Sequence, residues 1–331
     1  MAERKKQIVV IVVITITILM VISLSIVVIN IPMWSGWTGL NGKTAWDLAD
    51  LLFVPLVLVL IAYIFNRRQK EYELRIAQEE RKQEREIARE RVEEASLQNY
   101  FDKMTELLLK ENLRNSGEDS EVRSIARART LTVLRNLDGF RKGNVVRFLY
   151  EAKLIDAEKT IIDLAGADLQ RTYLLAVDLS KAYFGRVNLR NAFLLKANLR
   201  EAYLEGANLE EVSLLEACLE GANLSGARLH RAHLKGSNLS GAKLDDAYLQ
   251  NANLEKANLQ RACLRGTYLT DTNLEGADLS GADLSTARLF KGNIILASPS
   301  LDVKIRGAKY NNNTQWPPRV DPKKVGAILV E

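Results

Sequence analysis

The residues that could carry chemistry in this 331-residue chain are few: two histidines, His230 and His233, and two cysteines, Cys218 and Cys263. A metal site needs three or four ligands converging, and a nucleophilic triad needs a base and an orienting carboxylate. Nothing beside either histidine supplies the missing groups, so both read as surface residues. Glycines such as Gly206, Gly221, Gly226 and Gly236 never open a helix with a following Lys-Ser/Thr, so no phosphate-cradling loop is present. The reading is of a chain that is not an enzyme and needs no cofactor or metal. One further kind of chemistry remains, anion binding. Arg123, Arg127, Arg129, Arg135, Arg141, Lys142 and Arg147 crowd one short stretch and outnumber its acids.

The elements that hold these residues follow from a five-residue register. In "SGARLHRAHLKGSNLSGAKLDDAYLQNANLEKANL", Ser225 to Leu259, a Leu recurs at every fifth position. On a straight helix, five steps of about 100° would smear the leucines around the axis. On a straight strand, an odd period would alternate them between faces. The chain must therefore turn within each repeat. The residue two before each Leu shares its side and is small: Ala227, Ala232, Ser237, Ala242, Ala247, Ala252 and Ala257. The other three positions are turn-forming or charged, as the outside of a bend requires. From Leu164 to Leu289 every fifth residue is Leu, except Phe184.

The pentads "GADLQ", "KANLR", "EGANLE", "QNANLEKANLQRACL" and "EGADLSGADLS" resemble those of the pentapeptide-repeat family over roughly residues 157–297. The resemblance implies a right-handed quadrilateral β-helix, a solenoid with four pentads per coil, Leu or Phe at each centre and Ala at the corners. Stacked at a spacing of about 4.8 Å, the coils would make a rod about 30 Å long. Cys218 and Cys263, on outward positions nine pentads apart, cannot pair. Unpaired thiols fit a reducing compartment.

Before the rod, Ile8 to Ile31 is uncharged and Leu48 to Phe65 carries only Asp50. Both are long enough for spanning helices, and the first is too long and lacks the small-residue site of a cleaved signal. Trp34, Trp37 and Trp46 lie around the connecting hairpin, where indoles favour the membrane interface. Arg4, Lys5 and Lys6 precede the first run and Arg67, Arg68 and Lys70 follow the second. The positive-inside rule then places both termini in the cytoplasm of a multi-pass inner-membrane protein. The expected organisation is a transmembrane hairpin (1–66), a helical stalk (67–118), a small basic helical module (119–156), the β-helix (157–297) and a capping tail (298–331). The stalk is rich in helix formers, with pairs such as Glu71 and Arg75, but keeps no heptad, so a solvated helix is favoured over a coiled coil. The segment before the repeats also resembles that of membrane-anchored bacterial pentapeptide-repeat proteins, which carries no established catalytic residues.

Some members of the family shield topoisomerases by resembling DNA, which needs a strongly acidic rod. From Ala157 to Ala297 acids and bases are about equal in number, so DNA mimicry is disfavoured. The basic module suits anionic lipid of the inner leaflet, and suits nucleic acid less because it lacks interleaved aromatics. A membrane-anchored scaffold with flat sides for a cytoplasmic protein partner, or for further copies of itself, is the favoured reading. Tyr173, Leu175, Phe193, Leu195 and Leu215 break the outward polarity. The twenty-residue coil stacks them into one stripe, which a module helix carrying Val145, Phe148 and Leu149 is expected to fold back and cover; the rival reading is a docking surface for a partner or a second copy of the chain.

Overall fold

The computed structural model describes residues 45–289, 303–318 and 320–330, with side chains from Pro55 onward. The first apolar run, Ile8–Ile31, and the hairpin residues Trp34 and Trp37 lie outside the described residues. The chain divides into two units, Met1–Glu86 and Ile87–Glu331.

In the first unit the described residues form a single element, the start of helix α1, which runs Ala45–Leu109. Glu, Arg, Lys and Gln dominate it past Phe65, and no Gly interrupts it. Such residues lose little side-chain freedom in a helix, and i,i+4 contacts such as Gln69 to Glu73 (3.2 Å) and Arg67 to Glu71 (3.7 Å) add small increments. The helix passes from the second apolar run into the charged stretch without a break. Among the described residues no helix is long and apolar enough to cross a membrane, so the two expected transmembrane helices are not seen. Leu56, Leu58, Val59, Ile61 and Phe65 are exposed on α1.

The second unit begins with the last turns of α1. A 3-10 turn, Leu113–Asn115, leads to α2 (Glu121–Asn136) and α3 (Gly139–Glu151). Ser120 caps α2 by accepting from the Arg123 N–H, which satisfies one of the orphan donors of a helix start. Asp138 caps α3 by accepting from the Phe140 and Arg141 N–H groups. α3 therefore begins at Gly139, directly after its cap. Leu97, Tyr100 and Met104 of α1 pack with Ala126, Val133 and Leu134 of α2 and with Val145, Val146 and Leu149 of α3. A buried hydrogen bond joins Tyr100 Oη and Thr130 Oγ1 at 2.9 Å.

The pentads then coil with a period of twenty. Parallel bridges pair Tyr173 with Phe193, Asn198 with Cys218, Tyr248 with Tyr268, and so on along every side. Each coil bonds in both directions: Phe193 N donates to Thr172 O of the coil before (2.9 Å), and Leu194 N to Ser213 O of the coil after (2.8 Å). Every central residue from Leu164 to Leu289 is at most 2% exposed. Where Thr or Ser replaces the small Ala, its hydroxyl finds a carbonyl, as Thr172 with Leu169 O and Ser237 with Leu234 O. At each corner from Gly166 to Gly281 the residue two after the central Leu or Phe is left-handed, for example Lys181 (φ 58°) and Gly206 (φ 63°). Many outward Asn and Asp side chains close the bend by accepting an N–H two residues on, as Asn223 does from Ser225 (3.1 Å).

Both ends depart from expectation. At the start, α3 takes the place of a preceding coil on the side of Tyr173, whose N–H donates to Gly139 O (3.0 Å). The approach is backbone to backbone, and a Cβ at Gly143 would run into the Tyr173 carbonyl oxygen. At the other end the tail is not a lid lying over the rod. It is more rod: Lys304, Lys309 and Gln315 bridge to Asn273, Asp278 and Asp283, and Val303, Ile305, Ala308 and Tyr310 refill the interior positions. The first of these bridges joins residues thirty-one apart in place of twenty. Farther on the last strand joins the same side, β1 (Lys309–Tyr310) pairing parallel with β2 (Ile328–Leu329). The β-helix therefore passes the expected boundary at 297, and it caps itself by continuing.

Candidate functional site

The outward columns of the rod are the surfaces the sequence singled out, and the coil places each residue directly beside those twenty positions away. Along most of the rod this pairs opposite charges. Lys196 meets Glu216 (3.4 Å), Arg200 meets Glu220 (3.2 Å), Lys235 meets Glu255 (2.9 Å) and Arg265 meets Asp245 (2.9 Å). The hydrogen bond from Lys235 holds the Glu255 carboxyl below the usual carboxylate range. In water each such pair is weak; together they leave little net field on the flanks.

On the flank centred on Leu174, Leu194 and Leu214 the rule fails for the first three coils. Tyr173 and Phe193 stack at 4.7 Å, nearly parallel. They are 43% and 39% exposed, and Leu175 is 49% exposed. Leu195 and Leu215 continue the stripe half-buried. The structure thus brings all five predicted stripe residues together. It does not cover them. Phe148 turns the other way, onto Tyr100 (6.3 Å) and Phe101 (5.1 Å) of α1, and Val145 and Leu149 are buried in the helical core. The expected cover fails because α3 closes the end of the rod where a coil would be, and so does not lie along its flank. Sequence reasoning missed an exposed aromatic close to the stripe: Phe140 of α3, 62% exposed, follows Gly139, whose Cβ would touch the Tyr173 ring at 3.0 Å.

The seven basic residues of the module are largely engaged. Arg127 donates to the carbonyls of Asp163 and Ala165 (both 2.9 Å), and Arg123 to those of Ser116 (2.7 Å) and Thr160 (3.4 Å). These arginines satisfy backbone acceptors that a preceding coil would otherwise meet. Arg141 binds Glu94 (3.1 Å) and Asp138, and its bonds hold the Asp138 carboxyl below its ordinary range although burial alone would raise it. Lys142, buried, pairs with Asp168 (3.2 Å). Arg147 contacts the Asn144 side chain (3.2 Å), while Arg129 and Arg135 are exposed on α2. The patch is thus divided among capping, ion pairing and exposed positions.

His230 stacks on Tyr248 (5.7 Å), and burial lowers its pKa from the ordinary value. His233 lines a shallow polar groove with Asn191, Glu211 and Arg231. Cys218 and Cys263 are free thiols. Among the described residues no group of His, Cys, Asp and Glu is placed to hold a metal.

Twenty-residue coils of four Leu-centred pentads define a β-helical solenoid. Its repeats match the family described as "Pentapeptide repeats (8 copies)" at residues 162–195, 194–231, 232–271 and 247–289. Over this stretch the chain belongs to the pentapeptide-repeat family. Similar solved structures include a pentapeptide repeat protein of the Arabidopsis thaliana thylakoid lumen, 29% identical over 35% of this chain and 70% of that one, with a TM-score of 0.23. A second, alr5209 of Nostoc, is 30% identical over 39% and 84%, with a TM-score of 0.17. HetL of Nostoc, a protein involved in heterocyst differentiation regulation, is 27% identical over 51% and 81%, with a TM-score of 0.18. At such scores the superpositions carry no argument; the family rests on the repeats. No curated protein matches the chain.

Proposed function

We propose that this protein is a non-catalytic scaffold, anchored to the inner membrane by its two N-terminal apolar runs, whose cytoplasmic β-helix offers flat flanks to protein partners. The observation that carries this reading is the inter-coil pairing of charge. Flanks whose cations and carboxylates neutralise each other every twenty residues present neither the continuous negative field of a DNA mimic nor a gathered set of reactive groups. Such flanks suit contact by shape, as the concave or flat faces of other solenoids do. The exposed apolar residues Leu56 to Phe65 on α1 and the basic residues flanking each apolar run support the anchor. Lipid binding through the basic module is the weaker reading, because Arg123, Arg127, Arg141 and Lys142 are already bonded within the chain.

Affinity purification from solubilised membranes, comparing the full chain with a truncation ending at Asp156, tests the scaffold: partners should be retained only when the rod is present. A reporter active only outside the cytoplasm should work when inserted near Gly39 and fail after Glu331. The reverse pattern would remove the anchor topology.

A further inference from the structure

Most of the large apolar side chains on the rod point inward, and many outward cations meet a carboxylate one coil away. The first three coils of one flank break the first habit, and two arginines at its edge break the second, although Lys196 and Glu216 pair beside Leu195 and Leu215. Tyr173, Leu175 and Phe193 are exposed together, and Phe140 is exposed on α3, next in chain to the Gly139 that meets Tyr173. The cations nearest them behave differently as well. Arg171, exposed, precedes Tyr173 by two residues, and the Arg147 guanidinium lies near Gly143, beside the Tyr173 carbonyl. Neither arginine has a carboxylate within ion-pair distance among the described residues; the polar side-chain contact of Arg147 is the neutral Asn144.

We propose that this surface, an apolar stripe with two arginines at its edge that have no carboxylate partner, is the docking site for an acidic amphipathic segment of a partner protein. The inference rests on the scaffold reading and names the site and the partner's chemistry. Charge complementarity selects the acid: a segment with carboxylates flanking large apolar residues would bury the stripe and supply the counter-charges that Arg147 and Arg171 lack. The geometry selects a protein segment over a lipid surface. The rings of Tyr173 and Phe193 stack nearly parallel at 4.7 Å as neighbours in one column, a stripe along which a helix or strand can lie. A second copy is disfavoured because a twofold interface sets a patch against itself and would face basic rim with basic rim.

The test uses the full chain in phosphatidylcholine nanodiscs and a fluorescent synthetic amphipathic peptide with Leu and Phe on one face and Glu on the other. Its charge-reversed twin carries Lys in place of Glu. The Glu peptide should bind about tenfold or more tightly than the Lys peptide. The double variant Tyr173→His and Phe193→Asn keeps the fold, because His233 and Asn253 occupy those same columns three coils farther on. It should lose the Glu peptide by about tenfold or more. Arg147→Glu with Arg171→Glu should reverse the preference between the peptides. Equal binding of the two peptides, failure to bind the Glu peptide, or unchanged binding by the double variant would overturn the proposal. So would self-association or binding to phosphatidylglycerol vesicles that the double variant abolishes. Photo-cross-linking from Ser240, on another flank, separates this from the scaffold itself. Specific partners captured there, with no Glu-peptide binding, would leave the scaffold standing and remove this site.

Discussion

One flank of the rod changes character halfway along. Its first coils show Tyr173, Phe193, Leu175 and Leu195 outward; its later coils, in the same columns, show His233, Asn253, Lys235 and Glu255. Backbone, corner geometry and interior leucines are the same in both halves, so the fold did not require the difference. A solenoid separates its two demands completely: two positions in five build the core and the corners set the turn, which leaves the outward columns free to record what the surface meets. A departure from polarity there is information about contact, and a departure at a central Leu is information about packing.

The sharpest way to break this comparison is to mutate neighbours that point in opposite directions. Leu194→Ala, at a central position, should destabilise the unit by about 3 kcal/mol in denaturant unfolding, through lost burial and the cavity left behind. A cost below about 1 kcal/mol would mean the coils relax around the loss. Gly143→Ala should cost about 2 kcal/mol, because its Cβ meets a carbonyl that cannot move aside without disturbing the first coil; if unfolding is unchanged, α3 does not close the rod. Arg127→Ala should cost about 1 kcal/mol by freeing the carbonyls of Asp163 and Ala165 to water. Hydrogen exchange should rise first in the coil beginning at Asp163. Acid should act on the same end. Asp138 titrates below its unfolded value, so its contribution is present above about pH 4 and lost as pH falls through the lower folded value. Asp138→Asn should flatten that limb of the melting profile. Smallest of all should be Leu195→Asp, under about 1 kcal/mol, since the stripe is uncovered. A large loss of stability from this change would show a cover over the stripe after all.

The interior was legible because one position in five admits only a large apolar residue and a second only a small one. That pattern placed every centre from Leu164 to Leu289 and aligned the stripe columns at twenty. The ends were less legible for particular reasons. Arg123 and Arg127 read as a charged patch because sequence does not show that carbonyls of the first coil lack partners. The packing at Gly139 and Gly143 was not legible because close backbone approach leaves no apolar signature. The tail read as a foreign cap because its restart uses Ile305 and Tyr310 in place of Leu and shifts the register.

The replacement of a first coil by α3 also bears on how the chain can be made. Coils touch only their immediate neighbours, so a solenoid's hardest step is the coil that has nothing to build on. Here two helices that close by local contacts, α2 capped by Ser120 and α3 by Asp138, precede the repeats, and α3 presents the Gly139 carbonyl to Tyr173. Each later coil then adds about twenty residues to an edge already formed. Growth can proceed in the direction of synthesis, coil after coil as the chain leaves the ribosome, with no need to wait for the C-terminus.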